Sequence, residues 1–332
     1  MFTQFKTNRI EIGSEFWDVP VDVSVNKLFP QDTQYFLSGR SALQAIIEDI
    51  RKNMEFHTVA MPDWCCDSMI LPFLKAGIKV VFYQALKPIE NTNTDAILVM
   101  DYFGYTGHSE VGNYNGIIIR DMTHSIMSKT YDDADYYFGS FRKWAGFWTG
   151  GYGWGFKHSI DFKTDDFGYS VLREKAMLEK SKYISMLSAS KEYLDVFEEA
   201  EELLEKTGIL PGNDRDICLA EKVDVGGVKR IRRRNAEILL SEFTDDAIFP
   251  EIKENDCPMF VPIRAEKRNE LRRFLIQNEI YCPVHWPVTE YHQMSKETQK
   301  MVNEELSLVC DQRYNEEGMR RIIDVVKAFK GR

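Results

Sequence analysis

Between Ser38 and about Phe156 the chain repeats one pattern: a short apolar run, a helical or turn-forming connection, and another apolar run. The runs are "HTVAMP", "IKVVFY", "DAILVMDYFG", "GIIIRDM" and "ADYYFGS". Their length predicts strands, and runs such as the three isoleucines of "GIIIRD" predict burial on both faces. Strands interleaved with helical connections pair in parallel, so this half of the chain is expected to form a mostly parallel sheet covered by helices. The cover is written in the same stretch. "SGRSALQAIIEDIRKN" starts at a serine-glycine turn and places Leu43, Ile46, Ile47 and Ile50 on one face, and "DSMILPFLKAG" closes on Gly77.

After "GGYGWGF" the character changes. Residues 168–207 are predicted helical, broken into two or more helices, with the acidic run "EEAEELLEK" as a solvated face before Gly208 and the turn "PGND". Next come "VKRIRRRNAEILLSEF", "CPMFVPI", "EKRNELRRFLIQN", "EIYCPVHWP", "LSLVCDQ" and "GMRRIIDVVKAF". These alternate strand and helix, and the last puts Met319, Ile322, Ile323, Val326 and Phe329 on one apolar face, which predicts a compact α+β domain. The expected fold class is therefore α/β. It comprises an N-terminal arm with a large domain around a mostly parallel sheet (1–208) and a smaller α+β C-terminal domain (209–332). A chain of 332 residues is long enough for both.

A net charge of −10 would repel nucleic acid and anionic membrane surfaces, so neither is an expected partner. The opening "MFTQFKTNRIEIGSEFW" lacks a basic start followed by an apolar core, and no run of about 18 apolar residues occurs. A cytoplasmic location is expected. Cys65, Cys66, Cys218, Cys257, Cys282 and Cys310 lack paired metal-site spacing, so they are read as reduced thiols with no metal.

Four places carry chemistry. Asp121 closes the strand "GIIIRD", at the strand end where open α/β sheets gather their ligands, and His124 follows three residues later. Asp101 in "ILVMDYFG" has a similar setting, and either acid also suits a turn or helix cap. "SGRSAL" offers helix-start N–H groups, two hydroxyls and Arg40 to a phosphate. Finally, Lys143 lies among Phe141, Trp144, Phe147 and Trp148, with Gly146, Gly150 and Gly151. Those aromatics are expected to dry the pocket and ready the amine for Schiff-base chemistry, although a lysine stem often lies along aromatic surface with its head in water. Together, a phosphate cradle, a strand-end acid and an activated lysine match what pyridoxal phosphate (PLP) requires. "SGRSAL" lacks GxGxxG and the GK[ST] ending of a P-loop, no HExxH occurs, and "KRIRRR" reads as one helix's polar face or a local anion contact.

In this order the residues resemble the DegT-like family of sugar aminotransferases, within the fold-type I PLP enzymes, over most of the chain. "SGRSAL" looks like the family's phosphate segment, which implies that Gly39, Arg40 and Ser41 hold the phosphate. "MPDWCCDSMILPFLKAGIKVVFY" looks like the strand, helix and strand that supply a residue stacking on the cofactor ring, at Trp64 or Cys66. "IIIRDMTHSIMS" assigns Asp121 to the pyridine nitrogen and His124 to the ring or its phenolic oxygen. "GSFRKWAGFWTGGYGW" assigns Ser140 to the phosphate and Lys143 to the Schiff base. "RRRNAEILL" and "NEIYCPVHWP" also resemble family segments, the latter making Tyr281, His285 and Trp286 candidate substrate contacts.

The resemblance implies transfer of an amino group from an amino acid such as glutamate to a keto sugar, nucleotide-linked, by a homodimer with shared active sites. The alternatives are another PLP reaction, such as a lyase or dehydratase, and a non-catalytic binding or regulatory relative. Lys143 argues against the family's sugar dehydratases, which carry histidine there. Two departures stand out: "GFWTGGYGW" replaces the family's TTGEGG-like run, and no NxR[ML] segment is evident.

Overall fold

The computed structural model describes residues 11–22, 28–89, 92–128, 133–163, 168–204 and 207–331. Residues 1–10 of the opening segment and 205–206 of the acidic run lie outside the described residues. The chain enters through a two-residue strand, β1 (Ile12–Gly13). It then builds a seven-stranded sheet from β2 (Gln34–Phe36), β3 (Thr58–Pro62), β4 (Lys79–Tyr83), β5 (Ala96–Met100), β6 (Ile117–Asp121), β7 (Tyr136–Ser140) and β8 (Gly151–Trp154). Their order across the sheet is β2-β8-β7-β6-β5-β3-β4. The five strands from β7 to β4 are parallel, and β8 runs antiparallel to both its neighbours.

All five predicted runs are thus strands of one sheet, and β5 and β7 are buried at every position, as continuous apolar runs require. Helix α1 (Gly39–Asn53) packs on β7 and β8 with Leu43, Ile46, Ile47 and Ile50 buried, and the Ser38 hydroxyl caps it by accepting the Ser41 N–H at 3.2 Å. Helix α2 (Asp67–Lys75) ends before Gly77, whose φ of +72° suits glycine. The predicted helical stretch is two helices, α3 (Tyr169–Ile184) and α4 (Tyr193–Leu204), packed on each other.

Short α5 (Asp214–Ala220) leads into α6 (Val225–Phe243) and the C-terminal unit: β9 (Phe260–Arg264), α7 (Arg268–Gln277), β10 (Ile280–Tyr281), α8 (Lys296–Glu304), β11 (Glu305–Val309) and α9 (Glu316–Lys330). Strands β9 and β11 pair antiparallel, and Met319, Ile322, Ile323 and Val326 of α9 are buried against α6 and α7. Phe329 packs on Phe274 at the rim, 5.9 Å between ring centroids. Several side chains cross the division expected at residue 208, among them Phe249 and Val302 in the sheet core and Val228 and Met259 in the core with Phe141. Ile12 is buried in the C-terminal core because β1 pairs in parallel with β10, and Ile209 is buried in the sheet core. No helix among the described residues is long and apolar enough to cross a membrane.

Neighbours along β6, Arg120 and Asp121, send their side chains to opposite faces of the sheet. Arg120 is fully buried. Its Nη1 donates to Asp101 Oδ1 at 2.7 Å and its Nη2 to Asp133 Oδ2 at 2.7 Å. The other Asp101 oxygen accepts the Ser125 hydroxyl at 2.6 Å, which pins the loop carrying His124 to the end of β5. Replacing Arg120 with methionine leaves Asp101 buried with hydroxyl partners only. We expect a loss of about 3–5 kcal/mol in urea unfolding, the range for breaking one side of a buried ion pair.

Candidate active site

The carboxyl ends of β5, β6 and β7 converge where the sheet meets the C-terminal unit, and there a cavity of about 460 Å³ opens. His124 and Lys143 line it from the sheet side, and Met259, Phe260, Tyr281 and His285 from the C-terminal side. Gly13, Ser14, Glu15 and Phe16 of the N-terminal arm complete the wall.

Lys143 ends a single 3-10 turn, Phe141–Lys143, that follows β7. This turn overturns the expected drying by aromatics. Phe141, Trp144 and Phe147 are buried in a core of their own with Met122 and Tyr152, while Lys143 points the other way and is exposed to the cavity. The aromatics anchor the turn and leave the amine accessible. Gly150, at φ +141°, accepts the Phe141 N–H at 2.6 Å, and Gly151 begins β8.

Ser140 immediately precedes the turn. Its hydroxyl is buried with no hydrogen-bond partner, an expensive condition that a ligand oxygen would relieve. It faces the start of α1 at close range: a Cβ on Gly39 would lie 3.2 Å from the Gly139 carbonyl oxygen and 3.5 Å from Ser140 Cβ. The absent side chain keeps this corner open, and the Gly39 and Arg40 N–H groups belong to the helix start, where no intrahelical acceptor exists. Ser41 departs from expectation, since its hydroxyl donates to the Gly208 carbonyl at 2.9 Å and fastens α1 to the chain after α4. A phosphate fits this corner through Ser140, Gly39 and Arg40.

Asp121 accepts the Thr123 N–H at 2.8 Å, and burial pushes its carboxyl up to about 6. A cationic partner such as a pyridinium would reverse that shift. Asp101, the other strand-end acid, is committed to Arg120 and Ser125, which separates the two acids that the sequence left comparable. His124 is buried. Desolvation, with His285 and Lys143 nearby, holds its imidazole well below the ordinary range, so it is neutral. Because Nδ1 accepts the Phe103 N–H at 3.3 Å, the ring proton sits on Nε2 and makes that nitrogen a donor.

Of the two ring-stacking candidates, Trp64 is wholly buried. Its indole stacks on Tyr102 at 4.9 Å and donates to the His285 carbonyl at 2.8 Å, leaving no face for a ligand. Cys66 is half-buried and close enough to Asp121 and Lys143 to feel both charges, with burial pushing its thiol up. Trp286 stacks on His124 at 5.6 Å as backing, away from the cavity lining. Tyr281 and His285 do line the cavity. The Tyr281 hydroxyl accepts Lys191 Nζ at 2.8 Å, and Lys191 also meets Glu11, 3.3 Å away.

Sequence reasoning missed most of the cavity's charge. Arg142, Lys143, Arg173, Arg232, Arg272 and Arg313 line it against Glu15, Glu201 and Asp311. Arg142 lies 2.6 Å from Glu201, and although burial opposes it, that guanidinium holds the Glu201 carboxyl at about 2. Arg313 pairs with Asp311 at 2.8 Å and donates to the Ser14 and Glu15 carbonyls, drawing the arm over the cavity. These partners lie some 300 residues away in sequence, so no local pattern marks them. One signal was present. Asn213 and Arg215 have N-x-R spacing, with Asp216 at the last place; Asn213 caps α5, and the Arg215 guanidinium lies 4.2 Å over the Trp148 ring.

No family model matches the sequence, and no curated protein matches it significantly. Solved structures do share the fold. A DegT DnrJ EryC1 StrS aminotransferase from Brucella abortus superposes with a TM-score of 0.58 at 15% identity, over 90% of this chain and 86% of that one. Spr1654 from Streptococcus pneumoniae, described as a putative sugar aminotransferase and in its PLP form, gives 0.60 at 13% identity, over 96% and 99%. Helicobacter pylori PseC, an aminotransferase involved in the biosynthesis of pseudoaminic acid, gives 0.60 at 15% identity, over 96% and 100%. The fold is that of these aminotransferases.

Two variants test the site without turnover. Asp121 stays protonated in the folded protein up to about pH 6, whereas its ordinary value is 3.8. Its contribution to stability therefore falls as pH rises through that window and remains unfavourable above it, by something of order 3 kcal/mol. Asp121→Asn should raise the melting temperature of cofactor-free protein above pH 6 and flatten that part of the pH–stability curve. Ser140→Ala removes a buried, unpartnered hydroxyl, so cofactor-free protein should melt no lower than wild type, while phosphate-ester affinity measured by calorimetry falls about tenfold.

Proposed function

We propose that this chain is a PLP-dependent aminotransferase that moves an amino group from an amino acid, glutamate or one like it, to a keto sugar. One observation carries the reading: an accessible lysine stands beside a buried, unpartnered hydroxyl at a helix start, with a buried acid raised toward neutrality close by. PLP, when bound, supplies an aldehyde for the lysine and a ring that accepts the electrons released at the substrate carbon. Lys143 holds the cofactor covalently and, as a free amine, moves the proton at the reacting carbon. Asp121 keeps the pyridine nitrogen protonated, and a pyridinium explains why so buried an acid is retained there.

His124 presents its Nε2 proton to the phenolic oxygen, held in that tautomer by the Phe103 amide and backed by Trp286. Ser140 with the Gly39 and Arg40 amides would hold the phosphate, and Cys66 would face the ring. Tyr281 and His285 meet the substrate. The cationic lining suits an acceptor carrying acid groups, as a nucleotide-linked sugar does. The family resemblance supports a cytoplasmic homodimer with shared active sites.

Incubating PLP-loaded protein with glutamate tests the reading by absorbance. Conversion of the lysine-bound cofactor to the aminated form is expected, and no conversion with any amino donor overturns it. Lys143→Ala should take up PLP without forming the bond, and single-turnover amino transfer should fall by about a thousandfold or more.

A further inference from the structure

Glu305 is a wholly buried carboxylate, and among the described residues no lysine or arginine lies within ion-pair distance of it. The one group able to become a cation at that range is His285, whose Nδ1 is 3.9 Å from Oε1. A buried carboxylate without a counter-charge is costly, so its partners matter. Oε2 accepts the His285 backbone N–H at 2.7 Å, and Oε1 accepts the Ser307 hydroxyl at 2.5 Å. Glu305 and Ser307 alternate with Leu306 along β11 and therefore share one face of it. Ser307 Oγ in turn meets His285 Nδ1 at 2.9 Å. A hydroxyl has one proton, and here it goes to the carboxylate. The oxygen shows His285 a lone pair, so Nδ1 carries the ring hydrogen and Nε2 of the neutral ring is an acceptor.

That acceptor opens on the cavity. His285 lines it with 13% of its side chain exposed, and Phe103 and Phe260 pack on the ring at 5.1 and 5.3 Å between centroids. Nε2 is not buried and has no hydrogen-bond partner among the described residues. The ring of His124 stands 5.8 Å away and has the opposite character, with its proton on Nε2. The carboxylates of the lining are taken by cations: Arg142 and Arg173 engage Glu201, Arg173 also meets Glu15, and Arg313 engages Asp311. His285 Nε2 is an acceptor that no cation holds. An amino donor arrives as an ammonium, which donates hydrogen bonds, accepts none, and becomes a nucleophile only after losing a proton. Lys143 holds the cofactor at that stage and His124 offers a donor, so His285 has the character the ammonium needs.

We propose that His285 is the base that receives the proton of the incoming amino donor, and that Glu305 and Ser307 are positioning residues that hold its ring in the Nδ1-protonated tautomer. The step balances without an oxidant or reductant. One N–H bond of the ammonium breaks, its electron pair stays on nitrogen as the nucleophilic lone pair, and the proton bonds to Nε2. The imidazolium so formed lies 3.9 Å from the buried carboxylate with the Ser307 hydroxyl between them, which gives Glu305 the cation it lacks. The amine of Lys143, once released, takes the proton on and resets the ring. The proposal rests on the aminotransferase reading and adds to it a step for entry of the donor.

The first test uses full-length protein without cofactor and reads the tautomer by NMR of the imidazole nitrogens, the His285 signals being those absent from His285→Asn. Wild type should show Nδ1 protonated. In Glu305→Gln the amide oxygen keeps the His285 N–H and the amide N–H turns to Ser307. The hydroxyl is then free to donate to Nδ1, and the ring proton should move to Nε2, the wrong tautomer for a base. Ser307→Ala should leave the ring in both tautomers, and it decides the matter if E305Q does not fold. The same single tautomer in wild type and in every variant folded by circular dichroism overturns the proposal. PLP-loaded protein is then reacted at neutral pH with glutamate, an ammonium, and with methoxyamine, a free amine, and followed by absorbance. E305Q should slow the reaction with glutamate about a hundredfold, the low end for a proton-transferring group, and leave that with methoxyamine unchanged. An equal fall for both makes the role structural and overturns the base. Equal glutamate rates in wild type and E305Q overturn it as well, while the aminotransferase reading stands. A protein that switches tautomer yet takes up no PLP refutes that reading, while the chain from Glu305 through Ser307 to His285 stands.

Discussion

A guanidinium buried between two strands sets the geometry on which the rest of the site depends. Arg120 draws Asp101, just past the carboxyl end of β5, and Asp133, in the loop that enters β7, onto β6, so three adjacent strands are fixed to one another. Asp101 then takes the hydroxyls of Ser109 and Ser125, and Ser125 fixes the loop bearing His124. Because side chains alternate along a strand, the arginine that organises the sheet edge leaves the next residue, Asp121, pointing to the other face. Structural charge and site charge are thus adjacent in sequence and separated by the sheet.

The sheet was legible because its determinants are local. "GIIIRD" and "DAILVM" have no polar face, α1 carries its apolar stripe and serine cap in consecutive residues, and Asp121, Ser140 and Lys143 sit where those elements end. The failures have equally specific causes. Trp64 and the aromatics beside Lys143 are large apolar groups that the core uses, and composition does not say which way a 3-10 turn faces. Helix α8 buries only Thr298 and Val302, too sparse a stripe to read as a helix. The arginines around the cavity were invisible as a group because each comes from a different element, the 3-10 turn after β7, α3, α6, α7 or the loop before α9, and only the fold gathers them.

That gathering gives the cavity two unlike walls. The sheet side is built from residues that follow strand ends, His124 and Lys143. The other side is charged, with Arg142 and Arg173 sharing Glu201, and outside the cavity lining Lys180 and Lys191 share Glu11. Burial lowers the Lys180 ammonium to about 8 even with Glu11 at 3.1 Å, so this junction of arm, α3 and α4 carries a cation close to its titration range.

The pairing of β1 with β10 has a consequence in time. Ile12 meets Ile280, and Gly13 approaches the Tyr281 carbonyl so closely that a Cβ would fall 2.3 Å from it. The arm is made early in synthesis, and its docking strand about 268 residues later (280 − 12). At ribosomal rates of about 5–20 residues per second the arm waits roughly 15–50 s for its partner. The sheet can assemble during that interval, but the pocket's outer wall cannot close until the C-terminal unit has left the ribosome. In a cell, the nascent chain therefore passes through a stage in which the lysine-bearing cleft is built and still open on the arm side.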